Sequence, residues 1–290
     1  MPLSSLLLVL LAAATHASWN AMAKRSARVG APFLFWSSAL SVLIYAPWAL
    51  WTALHGSFAW TGPVIACIVA SGLIHTAYSF ALQHGYKVAD LSVVYPIARG
   101  TGPLLSSCGA FLLLAEVPGI LRLLGLAAVV GGILLIATEG RFDTFARPGA
   151  LAGLRWGVLT GACIAAYTLV DGYGVKVLLI APVLLDCLAN TLRTAVLLPS
   201  VLHQRSRGWE VMRGHWGGAW GVGLLGPLGY ILVLGALQLG APLSVVAPMR
   251  EISMMLVAMI GMIWLREPVG RARVLGCIAM VAGVVLLGLS

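Results

Sequence analysis

The chain has 290 residues, of which 60% are hydrophobic and 9% carry a charge, whereas an ordinary soluble domain has about 25% charged residues. A water-soluble globule is excluded, because so many apolar residues cannot all be buried in one core and must face lipid. The net charge of +9 does not indicate nucleic-acid binding. Most of the Lys and Arg residues lie in short polar gaps between apolar runs, and they form no basic stripe of a recognisable module. The composition therefore predicts a lipid bilayer as the partner.

Ten apolar segments follow one another along the chain, each long enough to cross a bilayer as a helix of about 20 residues. The gaps between them are short, the longest being 139–150 and 203–214, and they leave no room for a soluble domain. The first segment lacks the preceding basic residues of a signal peptide, so we expect it to remain as a membrane span. The expected fold is an all-α membrane protein with ten transmembrane helices. They are predicted at residues 3–23, 31–54, 61–84, 89–115, 118–138, 151–175, 180–202, 215–238, 241–265 and 269–289.

An internal repeat divides the chain into two halves. The segment ALQHGYKVADLSVVYPIAR, which starts at Ala81, recurs as ALQLGAPLSVVAPMRE from Ala236, and an apolar run ending in a glutamate and a proline follows each copy. The offset of 151 to 155 residues also aligns the first span with the sixth. We therefore predict two five-helix units, at residues 1–138 and 151–290, joined by residues 139–150. Because five is odd, the second unit enters the membrane from the opposite side, and such inverted repeats are typical of transporters.

Four segments carry a family resemblance: HASWNAMAKRS, YPIARGTGPLL, AAYTLVDGYG and APMREISMM. They resemble the EamA-like branch of the drug/metabolite transporter superfamily, and the resemblance covers nearly the whole chain. It implies a ten-helix carrier of the bacterial inner membrane, a monomer or homodimer, with a central site between the two halves that works by alternating access. It does not define the substrate, since members of the family handle amino acids, sugars, nucleotide-like metabolites and drugs.

Loop charge predicts the orientation of the helices. Thirteen Lys and Arg residues fall in the odd-numbered gaps, and two, Arg122 and Lys176, fall in the even-numbered gaps. Cytoplasmic loops are enriched in Lys and Arg, so the odd gaps are predicted to be cytoplasmic and both termini to lie outside. The family resemblance implies the opposite, with both termini inside. The thirteen residues are Lys24, Arg25, Arg28, Lys87, Arg141, Arg147, Arg155, Arg205, Arg207, Arg213, Arg266, Arg271 and Arg273.

Several charged and polar residues lie within the predicted spans. A charged side chain at the centre of a membrane costs roughly 2.5 to 3.5 kcal/mol on insertion scales, so such residues are expected to face the bundle interior, pair with each other or line a wet cavity. Polar residues three or four positions apart share one face of a helix and could together line a pathway. The residues predicted to bind substrate are His16, Trp19, Asn20, His75, Tyr78, Tyr95, Arg99, Tyr167, Tyr230 and Arg250.

For some of these residues two interpretations stay open. Arg99 either holds an anionic group of the substrate or ties neighbouring helices together. Arg250 and Glu251 are adjacent and point about 100° apart on a helix, so one of them is expected to be structural. Asp171 and Glu251 are the candidates for coupling transport to a proton or another cation. We predict a structural polar ladder for Asp186, Asn190 and Arg193.

Proline and glycine residues interrupt two spans at matching places. Pro96 and Pro103 lie in the fourth predicted span and Pro248 lies in the ninth. Interrupted helices mark the binding site in carriers built from inverted repeats. A simple proline kink, which is common in membrane helices, is the alternative.

Other motifs do not indicate a cofactor, a metal site or catalysis. The five cysteines lie singly in apolar runs, which argues against a metal site or a disulfide framework. The G-x-G-x-x-G pattern at residues 221–226 follows no strand, so dinucleotide binding is not expected. The glycines at positions 153, 157 and 161 are predicted to form a helix-packing seam.

We therefore predict a secondary transporter, not an enzyme, for a small organic metabolite that is amino-acid-like, anionic or zwitterionic, or a drug. Transport is expected to be coupled to protons or to an exchanged substrate, since the sequence has no nucleotide-binding loop. The alternative is an intramembrane lipid-modifying enzyme, which would need a nucleophile, an acid/base pair or a metal set, and no H-E-x-x-H or G-x-S-x-G motif is present. A channel or passive scaffold is a third class, but channel pores usually need oligomeric symmetry or a filter.

Overall fold

The computed structural model describes residues 2–26, 29–56, 59–146, 149–203, 209–256 and 270–290. Over these residues the chain is helical and contains no strand. We label the longer helices α1 to α10 in chain order. They are α1 Leu3–Arg25, α2 Ala31–His55, α3 Gly62–Val88, α4 Leu91–Leu113, α5 Ile120–Thr138, α6 Ala150–Lys176, α7 Pro182–His203, α8 Trp216–Gln238, α9 Leu243–Arg250 and α10 Arg271–Gly288. A short 3₁₀ helix, Phe142–Ala146, lies in the predicted connecting loop.

Eight of the helices in the described residues are long and apolar enough to cross a membrane. They are α1, α2, α3, α5, α6, α7, α8 and α10, and most of their ends lie within a few residues of the predicted spans. The prediction of a multi-pass, all-helical membrane protein is confirmed to this extent. The fourth predicted span is also helical, as α4, a 23-residue helix with two internal prolines.

The ninth predicted span, 241–265, is interrupted within the described residues. Helix α9 ends at Arg250, Glu251 adopts a turn, and the chain is helical again over residues 252–256. Pro248 has no N–H group and so cannot bond to the carbonyl oxygen of Ser244, four residues earlier. The Ser107 hydroxyl donates a hydrogen bond to that carbonyl oxygen instead, at 3.3 Å. Residues 257–269, the rest of this predicted span, lie outside the described residues.

The predicted glycine seam on α6 is confirmed as a packing surface against α4. A Cβ atom at Gly157 would lie 2.8 Å from the side chain of Ile97, and one at Gly161 would lie 2.7 Å from that of Thr101. Real Cβ atoms almost never approach other atoms so closely, so these positions need glycine for the two helices to pack. The close contact sets the position of α4, which carries Tyr95 and Arg99.

Two further pairs of glycines join α5 to α10. A Cβ atom at Gly125 would lie 2.9 Å from the carbonyl oxygen of Gly283, and one at Gly283 would lie 2.7 Å from that of Gly125. Gly132 and Gly276 meet in the same way, at 2.7 and 2.8 Å. The contact is reciprocal, so each helix presents glycines to the backbone of the other.

The most extensive helix contacts join the first part of the chain to the second. Helix α4 packs against α6, α5 against α10, α1 against α8, α2 against α7, and α3 against α6. In each of these pairs one helix lies before residue 139 and the other begins at residue 150 or later. A space at the centre of the bundle is therefore bounded by helices from both parts.

Candidate functional site

A cavity of about 670 Å³ lies inside the bundle, between helices from both parts of the chain. Its volume is within the range of about 300 to 1,000 Å³ that is usual for small-molecule sites. All ten residues that the sequence analysis assigned to substrate binding line this cavity. The two predicted coupling residues, Asp171 and Glu251, lie behind its wall and are 0% and 1% exposed. The fold thus brings together residues whose positions extend from 16 to 251.

Two arginines share one carboxylate at the α4–α9 side of the cavity. Nη1 of Arg99 lies 3.4 Å from Oε2 of Glu251, and Nη2 of Arg250 lies 3.5 Å from Oε1 of the same carboxylate. Both arginines line the cavity, although they are only 8% and 5% exposed. Nε of Arg250 is buried and has no hydrogen-bond partner among the described residues. These three side chains, Arg99, Arg250 and Glu251, form what we call the arginine group. The group carries a formal charge of +1 and has an unused donor.

Residues of α1 extend the arginine group along the cavity wall. Nη2 of Arg99 lies 3.3 Å from Nε2 of His16, whose ring meets the edge of Trp19 with a centroid distance of 4.8 Å. The indole Nε1 of Trp19 is buried without a partner in the described part of the chain. Asn20 donates its side-chain N–H to the carbonyl oxygen of His16, and the Arg99 guanidinium lies 5.5 Å from the ring centroid of Tyr95. This wall therefore offers hydrogen-bond donors and an aromatic surface.

A second polar group is centred on Asp171 of α6. His75 Nε2 lies 3.0 Å from Asp171 Oδ2, and the Tyr230 hydroxyl donates to the same oxygen at 2.5 Å. The other carboxylate oxygen, Oδ1, is buried and unpartnered within the described ranges. The Tyr167 ring stacks on His75 with a centroid distance of 4.0 Å, and the Tyr78 ring meets Tyr167 at 5.8 Å. Asp171 is therefore reached from the cavity through His75 and Tyr230.

A polar face of α7 also lines the cavity, and the sequence analysis did not assign it to substrate binding. The side-chain amide of Asn190 donates to Asp186 Oδ2 at 3.0 Å, as a polar ladder requires. Arg193 does not complete the ladder, since in the described part of the chain it forms no hydrogen bond with Asp186 or Asn190 and its Nε is buried without a partner. All three residues line the cavity. Their spacing put them on one helix face, but spacing alone does not say that this face points inward.

Glu116, in the loop between α4 and α5, anchors the helix that carries Arg250. Its carboxylate accepts hydrogen bonds from the backbone N–H groups of Leu243 and Ser244, at 2.6 and 3.0 Å, and lies 3.4 Å from Nζ of Lys176. It therefore satisfies free N–H groups at the start of α9. Burial raises the pKa of Glu116, but the hydrogen bonds from Ser244 and Leu243 and the charge of Lys176 outweigh burial, so its pKa lies below the ordinary value.

The cavity is built for binding by hydrogen bonds, charge and aromatic contact. In the described residues no three His, Cys, Asp or Glu side chains converge in the way that a metal site needs. Three arginines line the cavity, against one described carboxylate, Asp186. A ligand with acceptor oxygens would suit such a wall, because guanidinium groups bind carboxylate and phosphate oxygens strongly.

Comparison with known proteins gives a family and a fold. Residues 151–289 match the model of the EamA-like transporter family. One similar solved structure, described only as the crystal structure of a protein, aligns over 100% of this chain and 98% of its own with a TM-score of 0.75. At 16% sequence identity this likeness supports the fold alone. No curated protein sequence matches the chain.

Proposed function

Because residues 151–289 belong to the EamA-like transporter family, part of the drug/metabolite transporter superfamily, we propose that this protein is a secondary carrier of a small organic metabolite. It moves its substrate across the bacterial inner membrane by alternating access. The observation that carries the proposal is the polar cavity of about 670 Å³ inside an apolar multi-pass bundle. Buried charges in membrane proteins usually mark a substrate or ion pathway.

An inverted repeat of two five-helix halves would supply the two conformations. The reciprocal glycine contacts between α5 and α10 support it, because Gly276 and Gly283 lie 151 residues after Gly125 and Gly132. Gly125 contacts Gly283, the repeat equivalent of Gly132, and Gly132 contacts Gly276, the repeat equivalent of Gly125. A two-fold axis between the helices would require this exchange. The repeat aligns α1 with α6 and α3 with α8, so a contact between α3 and α6 should have a counterpart between α8 and α1. Both contacts are present. Rocking of one half against the other would then open the cavity to each side in turn.

The substrate has an acidic group, alone or as part of a zwitterion. Arg99, Arg193 and Arg250 line the cavity, where Asp186 is the one described carboxylate among the lining residues. Guanidinium groups bind carboxylate and phosphonate oxygens with two parallel hydrogen bonds. The rings of Tyr78 and Tyr167 would contact the rest of the molecule, since aromatic side chains give a large contact area at little conformational cost.

A proton or an exchanged substrate would drive transport. Of the two carboxylates predicted to couple transport, Asp171 is the better candidate. Its described hydrogen-bond partners are His75 and Tyr230, neither of which carries a permanent charge. Glu251 instead lies between two guanidinium groups and is paired with both. An intramembrane enzyme is not favoured by any observation at this cavity.

Counterflow in proteoliposomes tests the carrier function. A thermal-shift screen of the purified protein against amino acids, aminophosphonates, nucleosides and cationic drugs selects the solute. Vesicles preloaded with that unlabelled solute should then take up the labelled solute with saturation and with acceleration by the internal pool. Uptake that neither saturates nor responds to the internal solute contradicts a carrier. Empty liposomes and vesicles with the Arg99→Ala variant are the controls.

A further inference from the structure

The charge of the arginine group is the most informative feature of the cavity. Arg99 and Arg250 each contact a different oxygen of Glu251, at 3.4 and 3.5 Å. Neither contact is a bidentate pair, and the two guanidinium groups together exceed the carboxylate by one positive charge. All three residues are at most 8% exposed. An uncompensated charge at such depth is costly and requires a counter-charge.

The other charged groups of the cavity do not supply that counter-charge. Asp186 is balanced in sign by Arg193, which lies on the same face of α7. Asp171 lies fully buried behind the wall, and among the described residues no ion pair joins it to Arg99 or Arg250, both of which pair with Glu251. His16, which lies 3.3 Å from Arg99, contributes an imidazole nitrogen beside a guanidinium and is neutral when it accepts that hydrogen bond. The group of Arg99, Arg250 and Glu251 therefore needs one negative charge from elsewhere.

We propose that Glu251 sets the charge of the substrate, so that the carrier selects a solute whose acidic group bears a single negative charge. The inference rests on the proposed carrier function and names the substrate class more closely. Glu251 stays in place as a fixed counter-ion behind the wall, while the substrate anion binds Arg99 and Arg250 from the cavity side. Binding of a monoanion brings the net charge of the arginine group and the substrate together to zero. A dianion leaves one excess negative charge, and a neutral molecule leaves the positive charge unmet.

The geometry fits this division of roles. Glu251 is 1% exposed and does not line the cavity, whereas both arginines do. Glu251 therefore stays behind the two arginines, and the substrate meets them through the parts of their side chains that line the cavity. An acidic group with two or three oxygens would bind there without displacing Glu251.

Three probes of similar shape and different charge test the proposal. They are benzenesulfonamide, which is neutral, benzenesulfonate, a monoanion, and phenylphosphonate at a pH above its second ionisation, a dianion. Affinities are measured on the purified full-length protein in detergent by thermal shift and calorimetry, at one pH at which histidine is neutral. Wild-type protein should bind benzenesulfonate most tightly, by about tenfold or more over the other two probes.

Variants that change the charge of the group should change the preferred probe in step. Glu251→Gln raises the charge to +2 and should favour phenylphosphonate, whereas Arg250→Gln lowers it to zero and should favour benzenesulfonamide. The double variant Arg250→Gln/Glu251→Gln returns the charge to +1 and should restore the preference for benzenesulfonate. A merely structural role for Glu251 would not produce this restoration. Glu139→Gln, which removes an exposed carboxylate paired with Arg273, is the matched control and should keep the wild-type order.

The outcomes separate this inference from the carrier function. An unchanged order of the three probes in Glu251→Gln overturns the role of Glu251, and so does a double variant that does not regain the preference for benzenesulfonate. Equal binding of all three probes, or binding of none, by the wild-type protein overturns the monoanion site itself. In each of these cases saturable counterflow would still support the carrier function. Absence of counterflow contradicts the carrier function, but the preference among the three probes can still be measured by binding.

Discussion

Arg99 and Glu251 are separated by 152 positions in the sequence and form an ion pair inside the bundle, with 3.4 Å between Nη1 and Oε2. Both follow the same pattern, since SVVYPIAR ends at Arg99 and SVVAPMRE ends at Glu251. Positions that the predicted repeat aligns thus carry opposite charges and contact each other. Such a pair holds α4 against the end of α9 and places two guanidinium groups at one wall of the cavity.

Arg99→Ala should abolish the stabilisation of the protein by its ligand. The variant removes one of two guanidinium groups at the proposed anion site, while Glu251 keeps Arg250 as a partner, so the protein should still fold. The measurement is the ligand-induced shift of the unfolding temperature. Arg99→Lys keeps the charge but loses the bidentate geometry and should retain only part of the shift. Full ligand stabilisation in Arg99→Ala would assign Arg99 to a purely structural role.

Gly132→Ala should destabilise the protein through the contact between α5 and α10. The added Cβ would lie 2.5 Å from the Met280 side chain and 2.7 Å from the carbonyl oxygen of Gly276, and overpacking of this kind costs about 1 to 3 kcal/mol. Thermal unfolding of the purified protein measures the loss. Gly131→Ala is the matched control, because nothing lies within 4 Å of its added Cβ. Equal unfolding temperatures of the two variants would contradict the close packing.

Glu116→Gln should lower stability at neutral pH by about 1 to 3 kcal/mol, since it removes a charged acceptor from the start of α9. The pKa of Glu116 is lower in the folded protein than its ordinary value of 4.5. Its contribution is therefore fully present above about pH 4.5 and is lost as the pH falls through the lower, folded pKa.

Unfolding temperatures of wild type and Glu116→Gln between pH 3 and pH 7 test this. The difference between them should shrink toward the acid end. Glu139→Gln, at a side chain that is 55% exposed, should change stability far less. A difference that is constant over the whole pH range would show that the Glu116 carboxylate does not act through its charge.

Both termini are predicted outside by the distribution of Lys and Arg. A cysteine introduced by Ser290→Cys, in a chain whose five native cysteines have been replaced, should react with an impermeant thiol reagent added to intact cells. Asp143→Cys, in the loop between α5 and α6, should react only after the membrane is opened. Protection of position 290 and labelling of position 143 would reverse the orientation.

Ten of the residues that line the cavity were predicted, and several of them from their spacing along single helices. His16 with Asn20, His75 with Tyr78, and Tyr95 with Arg99 are three or four residues apart, and polar side chains so placed in an apolar span turn to the bundle interior. Asp186, Asn190 and Arg193 of α7 have a similar spacing, but the prediction for them is a structural ladder, whereas in the structure they line the cavity. Whether its polar face meets a cavity or a neighbouring helix depends on the rotation of α7 against α2 and α3, which spacing does not contain.

Hydropathy was enough to predict a multi-pass helical membrane protein, and the resemblance of four short segments was enough to predict the family that residues 151–289 match, because both are properties of the chain read locally and in order. The tertiary structure decided what the buried charges do. It showed that Glu251 lies between two arginines, that Asp171 is bonded to His75 and Tyr230, and that α9 ends before Glu251. These relationships join helices far apart in the sequence, and they depend on how glycine-lined faces pack, which no single segment specifies.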